Sequence, residues 1–305
     1  MTHRPSIRRW CWLAVVAVLL MAAGPPGGGF VTIDVPGAAL SLGDGISNQA
    51  VVTGLYYDAG GYSHGFVYQN GLITTVDGPT SNPALSQAAL YSLNNQGWAG
   101  AQYIGDDGIF RAATYNVNTQ AWNTLPVIPG TGFNGTGGVN ARGVAAGNWT
   151  TDPTIATGNQ GWTFDPKAGS YSFFDVPGVD KVHYIGTIVD DINNAGVVVG
   201  YFTDSNGVTH GFTKTGDQFQ TIDVPGADFT APQGINSEGD VSGVYRAAGV
   251  RHGFVLMRNG KLITIDFPAV HYTALGGISD NGNVAGYYKT ADGDFQGFYV
   301  PKAVP

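Results

Sequence analysis

A unit of roughly 45 residues recurs along the chain, and no other feature restricts the possible folds as tightly. Its first element, Ile33-Asp34-Val35-Pro36-Gly37, returns as Phe174-Asp175-Val176-Pro177-Gly178 and Ile222-Asp223-Val224-Pro225-Gly226. Weaker copies are Ile265-Asp266-Phe267-Pro268 and Val76-Asp77-Gly78-Pro79. A second element, Gly-Ile-Asn-x-x-Gly-x-Val-x-Gly-x-Tyr, follows each time and is clearest from Gly234 to Tyr245. The third is His-Gly-Phe, at His64, His210 and His252, with variants at Gln160 and Gln296 and with Arg111-Ala112-Ala113 in the second copy. Glycines that end the second element fall at 54, 100, 147, 200, 243 and 286, spaced by 46, 47, 53, 43 and 43 residues. Six copies at this period, each built of short apolar runs, predict propeller blades.

Each copy reads as four strands. Asn-x-x-Gly after the first is a tight turn, since Asn bonds its own backbone and Gly accepts positive φ. The second, such as Val197 to Phe202, is apolar on both faces and suits a strand held between neighbouring blades. The third begins at His-Gly-Phe, and the fourth is the Thr-Ile-Asp-Val stretch. Asn70-Gly71 and Asn259-Gly260 between them predict type I′ hairpins. The chain supplies a lone fourth strand at Phe30 to Val35, and the sixth copy stops after its third strand at Phe298 to Val300. Pairing the two closes the ring and removes an exposed edge. The expected fold is therefore an all-β, six-bladed β-propeller of four-stranded blades, its last blade closed by the N-terminal strand.

The Gly-Ile-Asn-x-x-Gly-x-Val-x-Gly element followed by His-Gly-Phe resembles the extracellular HAF-repeat proteins of bacteria, over nearly all of residues 30–300. The resemblance implies export and a bacterial source. It carries no reaction and no binding residues to transfer. Copies two and three depart from the pattern.

The N-terminal residues agree with export. Arg4, Arg8 and Arg9 precede an apolar run from Trp10 to Ala23, too short to span a bilayer as an anchor of ordinary length. Residues 1–24 are read as a signal peptide, 25–29 as a Pro/Gly linker and 30–305 as one propeller domain. The single cysteine, Cys11, lies in the signal, so the mature chain has no disulfide, thiol nucleophile or cysteine–metal site. With 14 basic and 22 acidic residues the net charge is −8, and losing the three signal arginines makes it more negative. That argues against nucleic acid as a partner. A soluble, monomeric chain with no further membrane span is expected.

Repeated residues are poor site candidates. His64, His210 and His252 are read as blade supports, and Asp34, Asp175, Asp223 and Asp266 as turn caps. Function more often sits where copies differ, on loops at the channel mouth. His183-Tyr184 and His271-Tyr272, with Asp190 and Asp191 near the first pair, are the candidates for catalysis. Tyr57, Tyr103, Trp149, Tyr201, Tyr245, Arg246 and Tyr287 are the candidates for ligand binding, and Asp44 is placed in the first mouth loop. Aromatic rings beside acids and a few cations suit an extracellular glycan or a peptide. No His-Glu-x-x-His motif occurs, and no metal or cofactor is expected. Gly130-x-Gly132-x-x-Gly135 is read as a glycine-rich loop, and Asp204-Ser205-Asn206-Gly207 as a hairpin turn. A binding module is the first reading; a glycan-active hydrolase or lyase at the channel mouth is the second.

Overall fold

The computed structural model describes residues 29–82 and 85–304. The expected signal peptide, Cys11 and most of the linker lie outside them. Strand β1 is Val31–Ile33, and five complete blades follow it in order. Blade 1 is β2 (Ala38–Ile46), β3 (Val52–Asp58), β4 (Ser63–Gln69) and β5 (Leu72–Val76). Blade 2 is β6 (Ala88–Leu93), β7 (Trp98–Ile104), β8 (Phe110–Asn116) and β9 (Ala121–Thr124). Blade 3 is β10 (Phe133–Val139), β11 (Ala145–Thr150), β12 (Gln160–Asp165) and β13 (Ser170–Phe174). Blade 4 is β14 (Thr187–Ile192), β15 (Val198–Thr203), β16 (Thr209–Thr215) and β17 (Gln218–Ile222). Blade 5 is β18 (Phe229–Ile235), β19 (Val241–Ala247), β20 (Val250–Leu256) and β21 (Leu262–Ile265).

Blade 6 joins β22 (Thr273–Ile278), β23 (Val284–Lys289) and β24 (Phe295–Val300) to β1. Val31 pairs with Tyr299, Thr32 with Phe298 and Ile33 with Gly297, antiparallel. Phe30 packs on Phe267 and Phe298 at 5.2 and 5.3 Å, and Ile33 is fully buried. The ends of the propeller thus meet in one sheet, and blade 6 packs on blade 1 to complete the circle.

Apolar residues recur between blades because each sheet can bury a face only against its neighbour. One such layer holds Val176, Val189, Val198 and Phe212; the next holds Val199, Val224, Val241 and Phe254. The His-Gly-Phe aromatic lies directly opposite the strand-two glycine: Gly54 faces Phe66, Gly243 faces Phe254 and Gly286 faces Phe298. A Cβ on Gly243 would stand 2.4 Å from the Ala231 carbonyl and 2.8 Å from the Phe254 ring. Blade 2 places Ala101 opposite Ala113 at this position. The residue equivalent to Gly54 is thus Ala101, one place beyond the Gly100 expected from the pattern.

The recurring Asn of the second element has two tasks. Its Oδ1 caps its own turn, as Asn193 does by accepting the Ala195 and Val197 N–H groups at 3.0 Å. Its Nδ2 reaches the next blade. Asn94 donates to Val139 O, Asn140 to Asn193 O, Asn193 to Asn236 O, and Asn236 to Ser279 O. Asn283 carries the series from blade 6 to Ser47 O of blade 1.

The histidines do brace the blades. His64, His210 and His252 place Nδ1 within 2.6 to 2.8 Å of Asp77, Asp223 and Asp266, which join the third strand to the end of the fourth. Gln160 makes the same bond to Asp175. These aspartates therefore bind across strands rather than cap turns. Asn70-Gly71 is the expected type I′ turn, with φ of 52° and 83°. Asn259-Gly260 is not. Met257 N bonds Lys261 O and Gly260 N bonds Met257 O, which makes a three-residue loop with Gly260 alone at positive φ. Gly135 lies in β10, so the glycine-rich loop is shorter than expected, whereas Asp204 caps the predicted hairpin turn by accepting from Asn206 N and Val208 N.

Candidate functional site

Every first strand lines the central channel, and every one carries an irregularity at the same place. In blades 1, 3, 4, 5 and 6 the register skips one residue: Asp44, Gly137, Asp190, Gln233 and Gly276. Tyr91 stands at this position in blade 2, within the break between Leu90 and Leu93. A bulge leaves its extra residue unpaired and re-aims it. All six residues line one cavity of about 390 Å³ on the side of the fourth-to-first and second-to-third loops. Read around the ring they are Asp, Tyr, Gly, Asp, Gln and Gly. Blades 1 and 4 are opposite in a ring of six, so Asp44 and Asp190 face each other across the channel, as Tyr91 faces Gln233.

The residue after the strand-two glycine position adds a second tier: Leu55, Gln102, Asn148, Tyr201 and Tyr287. Tyr57 and Phe133 stand with Ile155, Ile185 and Ile188 along the remaining wall. No Lys, Arg or His is among the lining residues. Beyond the bulges a small second cavity, near 50 Å³, opens on the Asn turns and includes Ser92 and Asp191.

Burial in this cavity acts on the acids. It pushes the Asp44 carboxyl up to about 7. Asp190 is driven well above the carboxylate range, first by burial and then by the charges of Asp44 and Asp191. The Oδ2 atoms of Asp44 and Asp190 are both buried without a hydrogen-bond partner, as is Gln233 Oε1. Burial also raises Tyr91, Tyr201 and Tyr287, so these phenols stay neutral. Asp191 differs. Burial lifts it to about 7, but it accepts the backbone N–H of Ile192 and, from blade 5, of Ile235. It ties blade 4 to blade 5.

The expected site residues divide. The cavity brings together Asp190, Tyr57, Tyr201 and Tyr287. Asp44 joins them from a strand bulge, not from the mouth loop. The others lie elsewhere. His183 is exposed; its backbone N–H and Nδ1 hold the Asp180 carboxyl below the ordinary carboxylate range. Tyr184 is exposed beside Gly207, and His271 is exposed with its carbonyl bonded to Arg251 N. Tyr272 packs on Phe295 and Tyr287 behind the cavity wall, with the Arg251 guanidinium 5.3 Å from its ring. Asp191 faces the opposite end. Tyr103 packs on Trp122, Trp149 on Phe173, and Tyr245 on His252. Arg246 Nε bonds Asp228 at 2.8 Å. The two histidines proposed for catalysis therefore do not converge with the acids. Sequence reasoning missed Tyr91, Gln102, Asn148 and Gln233. The signal that finds the inner ring is the residue two places before the Ile-Asn position in each copy.

No family model matches the sequence, and no curated protein does. Solved structures do share its fold. AofleA from Arthrobotrys oligospora is 15% identical with a TM-score of 0.56, covering 90% of this chain and 88% of its own. The SapL1 lectin, solved with alpha methyl fucoside, is 12% identical with a TM-score of 0.53, covering 86% and 94%. A putative TolB from Agrobacterium tumefaciens is 11% identical with a TM-score of 0.54, covering 86% and 90%. Together with the six closed blades these matches make the chain a six-bladed β-propeller. Among the described residues no helix is long and apolar enough to cross a membrane.

Proposed function

We propose that the chain is an exported, HAF-like repeat propeller that binds carbohydrate in its central cavity. The observation that carries this reading is the cavity lining: tyrosines for stacking on sugar faces, with amides and carboxyls for hydroxyl groups, in a volume that suits a small ligand. The fold is also the one used by a lectin solved with a fucoside. A glycan array followed by calorimetry on the leading hits is the test. Tyr201→Ala and Tyr287→Ala should each weaken binding by about tenfold or more, near 1.4 kcal/mol. Binding to no glycan, or affinity that both substitutions leave intact, overturns it. Export is tested by fusing residues 1–29 to a reporter and fractionating a bacterial host.

A glycan-active hydrolase is the second reading, favoured by Asp44 and Asp190 on opposed blades. Burial raises both carboxyls, so that a proton can be held between them, and acid–base cleavage of a glycosidic bond uses such a pair of carboxyls. On this reading Asp190→Asn abolishes turnover of a bound oligosaccharide while retaining its binding; binding with no turnover by the unmodified protein removes the reading.

A further inference from the structure

We propose that the cavity selects a sugar bearing a protonated primary amine, with the ammonium held at the bulge ring between Asp44 and Asp190. The inference rests on the carbohydrate reading above and names the class of sugar. Three acceptor oxygens at this level have no donor: Asp44 Oδ2, Asp190 Oδ2 and Gln233 Oε1. An ammonium is a donor-only group with three N–H bonds to give. A neutral sugar would leave the two facing carboxyls in their protonated form, whereas an ammonium supplies a cation to a site whose lining residues include none and lets them ionise.

Floor geometry supports the same ligand. The bulge residues that precede the two acid blades are glycines. A Cβ on Gly137 would lie 2.6 Å from the Asp190 carbonyl oxygen, and one on Gly276 would lie 2.6 Å from the Asp44 Cα. Absence of side chains there brings each acid-bearing strand close to its neighbour and leaves the floor open beside both carboxyls. Tyr91 stands in the bulge ring itself, and Tyr57, Tyr201 and Tyr287 line the same cavity, where aromatic rings favour a cation. Asp191 adds its field behind Asp190, while Arg251 and Tyr272 act on Tyr201 from outside the wall. Among the described residues no group of three His, Cys, Asp or Glu side chains forms a metal cluster. A lysine side chain would present the same ammonium, but its bare alkyl stem has no hydroxyl to offer Gln102 in the tier above. A pyranose ring carries hydroxyls at that level.

A bound cation favours the charged carboxyls, which burial otherwise keeps protonated, so ligand entry should release protons. Calorimetry compares glucosamine oligomers with N-acetylglucosamine oligomers of equal length, in buffers of different ionisation enthalpy. The amine form should bind at least about tenfold tighter and release protons. Asp44→Asn and Asp190→Asn should each erase most of that preference, bringing the ratio of amine to N-acetylated affinity toward one. Equal affinity for the two oligomers in the unmodified protein overturns the amine inference but leaves carbohydrate binding standing, and this comparison needs no variant to fold. Binding of a lysine-rich peptide in preference to both sugars also overturns it. Failure of every glycan to bind removes the carbohydrate reading together with this one.

Discussion

Burial raises the carboxyls of Asp44 and Asp191 to about 7 and drives that of Asp190 well above the ordinary carboxylate range. An acid whose folded pKa lies above its unfolded value makes the folded chain bind more protons than the unfolded one. Stability then falls as pH rises from the ordinary carboxylate range toward pH 7. Urea midpoints measured between roughly pH 5 and pH 8 should decline, and Asp44→Asn should flatten part of that decline while raising the midpoint at the upper end. Hydrogen-bonded acids of the turns act in the opposite sense. Asp58, Asp152 and Asp204 are held low by hydrogen bonds, led by Tyr62 N–H, the Thr154 hydroxyl and Val208 N–H respectively. Their contribution is lost only as pH falls through that lower range. Repeated side chains also differ in weight. His252 and Asp266 are both solvent-accessible, so His252→Ala should cost no more than about 1 kcal/mol. Asn193 is buried and serves both its own turn and the next blade, so Asn193→Ala should cost about 2 kcal/mol or more by thermal melting. In the sequence the two look alike, because recurrence reports a shared position and not its energy.

At the scale of the strand, the bulge decides what the channel contains. An uninterrupted first strand would turn Asp44 and Asp190 toward a neighbouring blade, since one residue of slip reverses the face. The bulges instead aim all six residues at the cavity, and Gly137 and Gly276 give the backbone room to do so. Gly276→Ala should destabilise the fold by about 2 to 3 kcal/mol in urea unfolding, because the atoms it would strike are backbone. This layer was not legible in the repeat pattern. The repeat pattern places Asp44 in a loop because bulges carry no residue signature of their own. It points to Gly100 as the repeat glycine because blade 2 exchanges its glycine–aromatic pair for Ala101 and Ala113. Strand order and hairpin positions were legible, since alternation and turn residues encode them locally.

For the whole molecule, closure is the event on which the cavity depends. Deleting residues 1–35 removes β1, bares the edge of β24 and uncovers Phe298, which is fully buried in the intact ring. The truncated chain should melt lower and should associate on size-exclusion chromatography, because an open strand edge templates pairing. Adding back a peptide of residues 29–36 should restore part of the melting temperature.

The sequence alone determined the number of blades, their four strands and the strand that closes them, because each follows from local periodicity and from a fragment missing at one end and present at the other. Tertiary structure alone decided which side chains share the channel. Asp44 and Asp190 lie 146 residues apart, and the repeat position they share does not by itself say that it faces the channel. They face each other only because six sheets close into a circle and a bulge turns one residue of each inward. The His-Tyr pairs, which looked like site residues when read along the chain, lie outside that circle for the same geometric reason.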